Sequence, residues 1–223
     1  MKYVPHAIFA FLVMSLLVGQ RFGFVWAGGT GYILERNAGI VALIGEPRID
    51  RMGETRAAEL WHSVDRGETI VTQSTERLML QLDFTHTIAL DENTTITIVE
   101  NTREAIRIHL TKGRIYADTH VTDGSETNDQ VATQLSIWTD RTESSIESGA
   151  MTVVNYDFLE KVSVLPINTI VTITTKSEPT FTTIHPITID DVYGEILEPN
   201  ATFNVNAPDV VDFYEWARGL SIE

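Results

Sequence analysis

The feature that most constrains this chain is a hydrophobic period close to 2 that runs from about Gly39 to Thr175. Leu78, Leu80 and Leu82 alternate with Met79 and Gln81, and the same spacing returns at Ile88 and Leu90, at Ile96 and Ile98, at Ile106, Ile108 and Leu110, and at Ile115, Ala117 and Thr119. Successive strand residues point to opposite faces, so alternation of this kind buries one face of a sheet and would scatter around a helix. A second series follows at Leu135 and Ile137, Met151 and Val153, Val162 and Val164, and Val171 and Ile173. Threonine is frequent within these segments, as in Thr94-Thr95-Ile96-Thr97, and β-branching favours the pleat. The segments are short and broken by Asp91-Glu92-Asn93 and Lys112-Gly113, residues that favour turns. The pattern predicts an all-β domain of short strands over residues 39–175.

What flanks this body reads differently. Lys2 precedes an apolar run from Ala7 to Gly19, which ends at Gln20 and Arg21. A removable leader has an apolar stretch of about 7–15 residues, whereas a membrane-spanning helix needs about 20. Val25-Trp26-Ala27 supplies small residues where a signal peptidase reads, so residues 1–27 are expected to be a signal peptide cut after Ala27. Phe22, Phe24 and Trp26 extend the apolar character, which leaves an uncleaved anchor as the alternative. Residues 28–38 are then expected to be a flexible N-terminus. Lys176-Ser177-Glu178-Pro179 marks a boundary, and residues 176–223 read as a C-terminal extension. Within it, Pro208 suits a first helical turn, and Val210, Val211, Phe213, Tyr214 and Ala217 recur at helical spacing, which predicts a short helix over 208–219 that packs on the sheet.

The formal net charge is −15, and loss of Lys2 and Arg21 with a cleaved leader makes the mature chain more acidic still. Nucleic acids and anionic membrane surfaces need a basic stripe, so neither is an expected partner. Cysteine is absent. That excludes disulfides, thiolate metal sites, a cysteine nucleophile and a lipid-anchored cysteine.

Several motifs occur in a definite order. Val64-Asp65-Arg66-Gly67-Glu68-Thr69-Ile70-Val71-Thr72 gives a Gly-acid-x-hydrophobic-x-Thr step, and Glu76 to Leu90 gives two strands around the turn Asp83-Phe84-Thr85. Glu92-Asn93-Thr94-Thr95-Ile96 is a polar step into a strand, Leu110-Thr111-Lys112-Gly113-Arg114-Ile115 a Leu-x-x-Gly-x-hydrophobic step, and Ser148-Gly149-Ala150 a later glycine step. In this order the segments resemble the FecR domain family, named for the regulator of iron-dicitrate uptake. The chain departs from the family at Glu68, where aspartate is usual, and at Phe84-Thr85, where the turn is usually Asp-Gly-Ser. The resemblance makes Gly67, Glu68, Thr72, Asp83, Asn93, Thr94, Gly113 and Gly149 fold-making positions. It also implies a β-solenoid-like or sandwich fold and a periplasmic sensing domain. The best-known relatives signal to a sigma factor through an N-terminal cytoplasmic tail, and the few residues before Ala7 are not expected to serve as one.

Chemistry-bearing residues are sparse in pattern. His109, His120, Asp118 and His86 could meet across neighbouring strands as a zinc site, but His109 has the parity opposite to Ile108 and Leu110, so an exposed strand face is the expectation. Asp123, Ser125, Thr127 and Asp129 alternate oxygen ligands without the glycine and terminal glutamate of a calcium loop, and read as a solvated loop. Asp190-Asp191 has no evident partner for glycoside hydrolysis. The expected function is therefore an exported, non-enzymatic FecR-like module, periplasmic or secreted, that takes a protein or cell-envelope ligand with no cofactor. A calcium-stabilised structural or adhesive surface protein is the alternative, and an envelope hydrolase a third.

Overall fold

The computed structural model describes residues 36–119, 133–156, 160–177, 179–197 and 206–220. The expectations for the leader, for His120 and for the loop Thr122–Asp129 fall outside these residues. The described chain forms β1 (Ala38–Ile44), β2 (Arg48–Arg51), β3 (Glu54–Ala57), β4 (Ser63–Val64), β5 (Thr69–Val71) and β6 (Arg77–Gln81). Next come β7 (His86–Leu90), β8 (Thr95–Asn101), β9 (Ala105–Thr119), β10 (Gln134–Trp138), β11 (Thr142–Ile146) and β12 (Gly149–Tyr156). The series closes with β13 (Lys161–Ile167), β14 (Val171–Thr175), β15 (Phe181–Thr183), β16 (Ile187–Asp190), β17 (Ile196–Leu197) and one helix, α1 (Pro208–Leu220).

These strands make two sheets that share one core, so of the two arrangements expected from sequence the sandwich is the one adopted. The first sheet runs β4-β1-β6-β7-β9-β12-β13-β16-β17, with every pair antiparallel. The second runs β3-β2-β5-β8-β9-β10-β11-β14-β15, antiparallel except for the parallel pair β9 and β10. Neither closes into a barrel. Leu80, Ile88 and Val153 from the first sheet meet Ile70, Ile98, Ile108 and Leu135 from the second in a continuous buried cluster. Each such side chain contributes roughly 1.5–3 kcal/mol on leaving water.

Strand β9 belongs to both sheets, and this departs from the sequence reading, in which Lys112-Gly113 separated two strands. Its first half pairs with β8 and β10, its second with β7 and β12. Gly113 bends the strand without reversing it, at φ +96°. Asn155 holds the bend from the neighbouring strand, its side-chain amide donating to the carbonyls of Leu110 (3.0 Å) and Thr111 (2.8 Å).

Two further boundaries differ from expectation. Ala38 is fully buried in β1, so the ordered sandwich begins within the stretch expected to be flexible. Beyond Lys176 the chain adds β15 to the second sheet and β16 and β17 to the first. Ile189 carries the core-facing role there, and its neighbours gave too short an alternation to stand out. Helix α1 lies against the outer face of the first sheet, where Phe213 and Ala217 cover Met79, Ala89, Tyr116 and Ala150. This explains why β6 and β7 are apolar at consecutive positions: both of their faces are buried. Around that contact Arg77 bonds Asp91 (3.1 Å) and Asp212 (2.8 Å), while Arg114 bonds Asp91 (2.9 Å) and Asp209 (3.2 Å). The Arg77 guanidinium also sits 5.6 Å from the Phe213 ring centroid.

Candidate binding groove

The motif residues singled out from sequence all lie among the described residues. Thr72, Asn93, Thr94 and Gly113 converge on one knot where β5, β8 and β9 meet. The Thr72 hydroxyl donates to Asp91 O (2.6 Å) and accepts from the Thr94 amide (2.9 Å). The Thr94 hydroxyl accepts from the Arg114 amide (3.1 Å). Asn93 takes φ +54° in the turn that delivers Thr94. At the start of β5 the Gly67 amide donates to Ile98 O, and the buried Glu68 carboxylate accepts from the Asp65 amide (2.8 Å) and Arg56 (3.0 Å).

Asp83 organises the β6–β7 turn. Its Oδ1 accepts from the amides of Thr85 (2.8 Å) and His86 (2.8 Å), while Phe84 at the tip stays exposed. Aspartate thus supplies the chemistry of the Asp83-Phe84-Thr85 turn by itself. His86 Nδ1 lies 2.8 Å from Asp83 Oδ1, His86 Nε2 lies 3.1 Å from Thr133 O, and Arg36 reaches Asp83 Oδ2 at 2.7 Å. Burial alone would push the Asp83 carboxyl up, but the His86 ring, together with the Thr85 and His86 amides, holds it well below the usual carboxylate range. A carboxyl depressed below its unfolded value of about 3.9 stabilises the fold above that pH and loses its contribution as pH falls through and below it. Asp83→Asn is expected to flatten the acid limb of a urea-unfolding profile between about pH 5 and pH 2. Parallel wild-type and variant profiles would contradict this.

The described candidate metal residues, His86, His109 and Asp118, each have partners of their own. Asp118 accepts from the Tyr116 hydroxyl (3.2 Å), His86 is held by Asp83, and His109 faces Asp140 at 3.5 Å with its ring edge on Trp138. Among the described residues no cluster of three or more His, Asp or Glu could hold a metal. Asp190 and Asp191 serve separate loops: Asp190 caps the amides of Val192 and Tyr193, and Asp191 accepts from the hydroxyls of Thr139 and Thr142. Burial pushes the Asp191 carboxyl up despite those hydroxyls.

An open groove of about 800 Å³ lies beside β11 and β14. Ser145 on β11 and Thr172 on β14 face each other along its floor, and Gln134 Nε2 donates to Ser145 Oγ at 2.9 Å. Its wall is the turn before β12 together with the turn between β13 and β14. Those two turns touch closely, since a Cβ on Gly149 would stand 2.8 Å from Thr169 Cβ and 3.1 Å from Asn168 O. Gly149, at φ +81°, is thus required to close the groove wall, and the Thr169 hydroxyl donates across it to Ser148 O. Ile170 and Ile184, each 61% exposed, give the groove its apolar part. Sequence reasoning did not find this groove, because its residues come from four separate segments and only strand register brings them together.

No family model matches the sequence, and no curated protein matches it. Two crystal structures, each described as a candidate anti-sigma factor from Parabacteroides distasonis, are similar in fold. One is 17% identical, with a TM-score of 0.47, over 58% of this chain and 57% of the solved one. The other is 16% identical, with a TM-score of 0.50, over 68% of this chain and 65% of the solved one. This chain therefore spans less than two thirds of the length of either. At such identity the second likeness shows a shared fold, a two-sheet all-β architecture also found in a candidate anti-sigma factor.

Proposed function

We propose that this chain is an exported, non-enzymatic binding or sensing module of the FecR type, working in the periplasm or outside the cell on a protein or cell-envelope ligand. The groove beside Gln134, Ser145 and Thr172 carries this reading. It is open, it is built on paired strands, and it offers hydroxyls, amides and the Glu147 carboxylate to a ligand. Three features support the rest: the leader pattern ending at Ala27, the ordered motif steps from Gly67 to Gly149, and the fold shared with a candidate anti-sigma factor. No helix among the described residues is long and apolar enough to cross a membrane.

A binding module is stabilised by its ligand. The chain from Gly28 onward, melted in the presence of fractionated cell-envelope extract, is expected to gain about 5–10 °C with a fraction that supplies ligand at roughly a hundred times its dissociation constant. An unchanged melting temperature across every fraction would overturn the proposal.

A further inference from the structure

We propose that the groove and the adjoining outer face of the second sheet bind a neutral glycan chain, with Trp138 as the stacking platform. This rests on the binding-module reading and names its ligand class.

The groove does not end at Ser145. Residues of one strand parity share a face, so Glu143 lies on the same outer face as Ser145, about 7 Å further along β11. Trp138 stands directly opposite Glu143, and Gln134, which bonds Ser145, shares the face with Trp138 on β10. The indole is 43% exposed, and its neighbour His109 packs edge-on against it with the ring centroids 6.1 Å apart. It is thus a braced aromatic surface beside a hydroxyl-lined groove, and a ligand that stacks on it meets little loss of side-chain freedom.

Three observations select the occupant. First, β10 lies between β9 and β11, and β11 between β10 and β14, so the main-chain groups of this surface are already paired. An extended peptide binds best by adding to a free strand edge, and the edge nearest this surface is β15, a strand of only three residues. Second, Glu147 is the charged residue of the groove lining, Glu143 and Asp140 flank the indole, and Arg107, opposite Ser136 on the same face, is offset by Glu100 at 3.8 Å, within a chain of net charge −15. Such a surface repels phosphates, nucleic acids and acidic polymers. Third, the mixture of Gln134, Asn168 and Glu147 with Ser145, Thr169 and Thr172 supplies planar amides, a carboxylate and hydroxyls. These pair with the vicinal hydroxyls of a sugar, while an indole accepts the apolar C–H face of a pyranose ring.

The test is titration calorimetry of the chain from Gly28 onward with chitohexaose, cellohexaose, maltohexaose and laminarihexaose. At least one is expected to bind, with Trp138→Ala weakening that affinity about tenfold or more and Trp138→Phe less. Trp61→Ala, at an indole 79% exposed elsewhere on the surface, is expected to leave affinity within about twofold. Thermal melts of each variant separate loss of binding from loss of fold. Absence of binding by all four sugars at millimolar concentration, or wild-type affinity in Trp138→Ala, would overturn the glycan inference. If envelope material then still stabilises the protein and loses that ability on proteinase treatment, the ligand is a protein and the binding-module reading survives alone. If no envelope material stabilises it, both fail.

Discussion

Gly113→Ala is expected to lower stability by about 3–5 kcal/mol, among the largest effects of adding one methyl group to this chain. The added Cβ would stand 2.4 Å from Thr94 Oγ1 and 2.5 Å from Thr94 Cα, and the backbone there cannot move away. Thr94 is fully buried and bonded through both its amide and its hydroxyl, so the collision falls on the knot that joins β5, β8 and β9. The left-handed backbone at φ +96° adds about 1–2 kcal/mol for any residue with a side chain. Gly67→Ala provides the internal comparison, because it shares a positive φ of +83° but has nothing within 4 Å of its Cβ position, so only the backbone cost of about 1–2 kcal/mol applies. Urea unfolding of both variants checks the difference. Equal losses would mean that the Thr94 contact plays no part.

Phe213→Ala is expected to release helix α1 while leaving the sandwich folded. Phe213 is fully buried between the helix and the outer face of the first sheet, and truncating such a ring costs about 3–5 kcal/mol. A helix of 13 residues is marginal in water without its docking surface, so loss of docking means loss of the helix. The Arg77 and Arg114 pairs with Asp212 and Asp209 do not replace the ring, because both aspartates are largely exposed and surface pairs contribute only about 0–1 kcal/mol. Amide exchange over α1 is therefore expected to accelerate about a hundredfold or more, at about 1.4 kcal/mol per tenfold, with exchange in β7 and β9 little changed. Unaltered protection in the helix would show that it is held by something other than this ring.

How far the sequence disclosed this structure depended on the range of the interactions involved. Alternation is local, and Leu78, Ile88, Ile96, Ile106 and Val153 are buried as their parity required. The helix was legible for the same reason, with Val210, Phe213 and Ala217 forming its buried stripe. Lys112-Gly113 was legible as a break but not as a bend, since whether a glycine reverses a strand depends on distant partners, here Thr94 and Asn155. The strands beyond Lys176 were obscured because β15 and β17 are only two or three residues long and depend on β14 and β16 for pairing. Trp138 shows the limit most clearly. Its place at the end of Leu135-Ser136-Ile137 fixes its parity, but the register that sets it opposite Glu143 and beside His109 is a property of the assembled sheet.

The surface from Gln134 and Ser145 across to Trp138 is the proposed meeting place of the protein and its ligand. Hydrogen exchange with and without a stabilising envelope fraction or oligosaccharide tests it directly. Protection is expected to rise in residues 134–148 and 166–172 and to stay unchanged around the β2–β3 hairpin at the far end of the second sheet. Protection confined to the helix face or to the β2–β3 hairpin would contradict it.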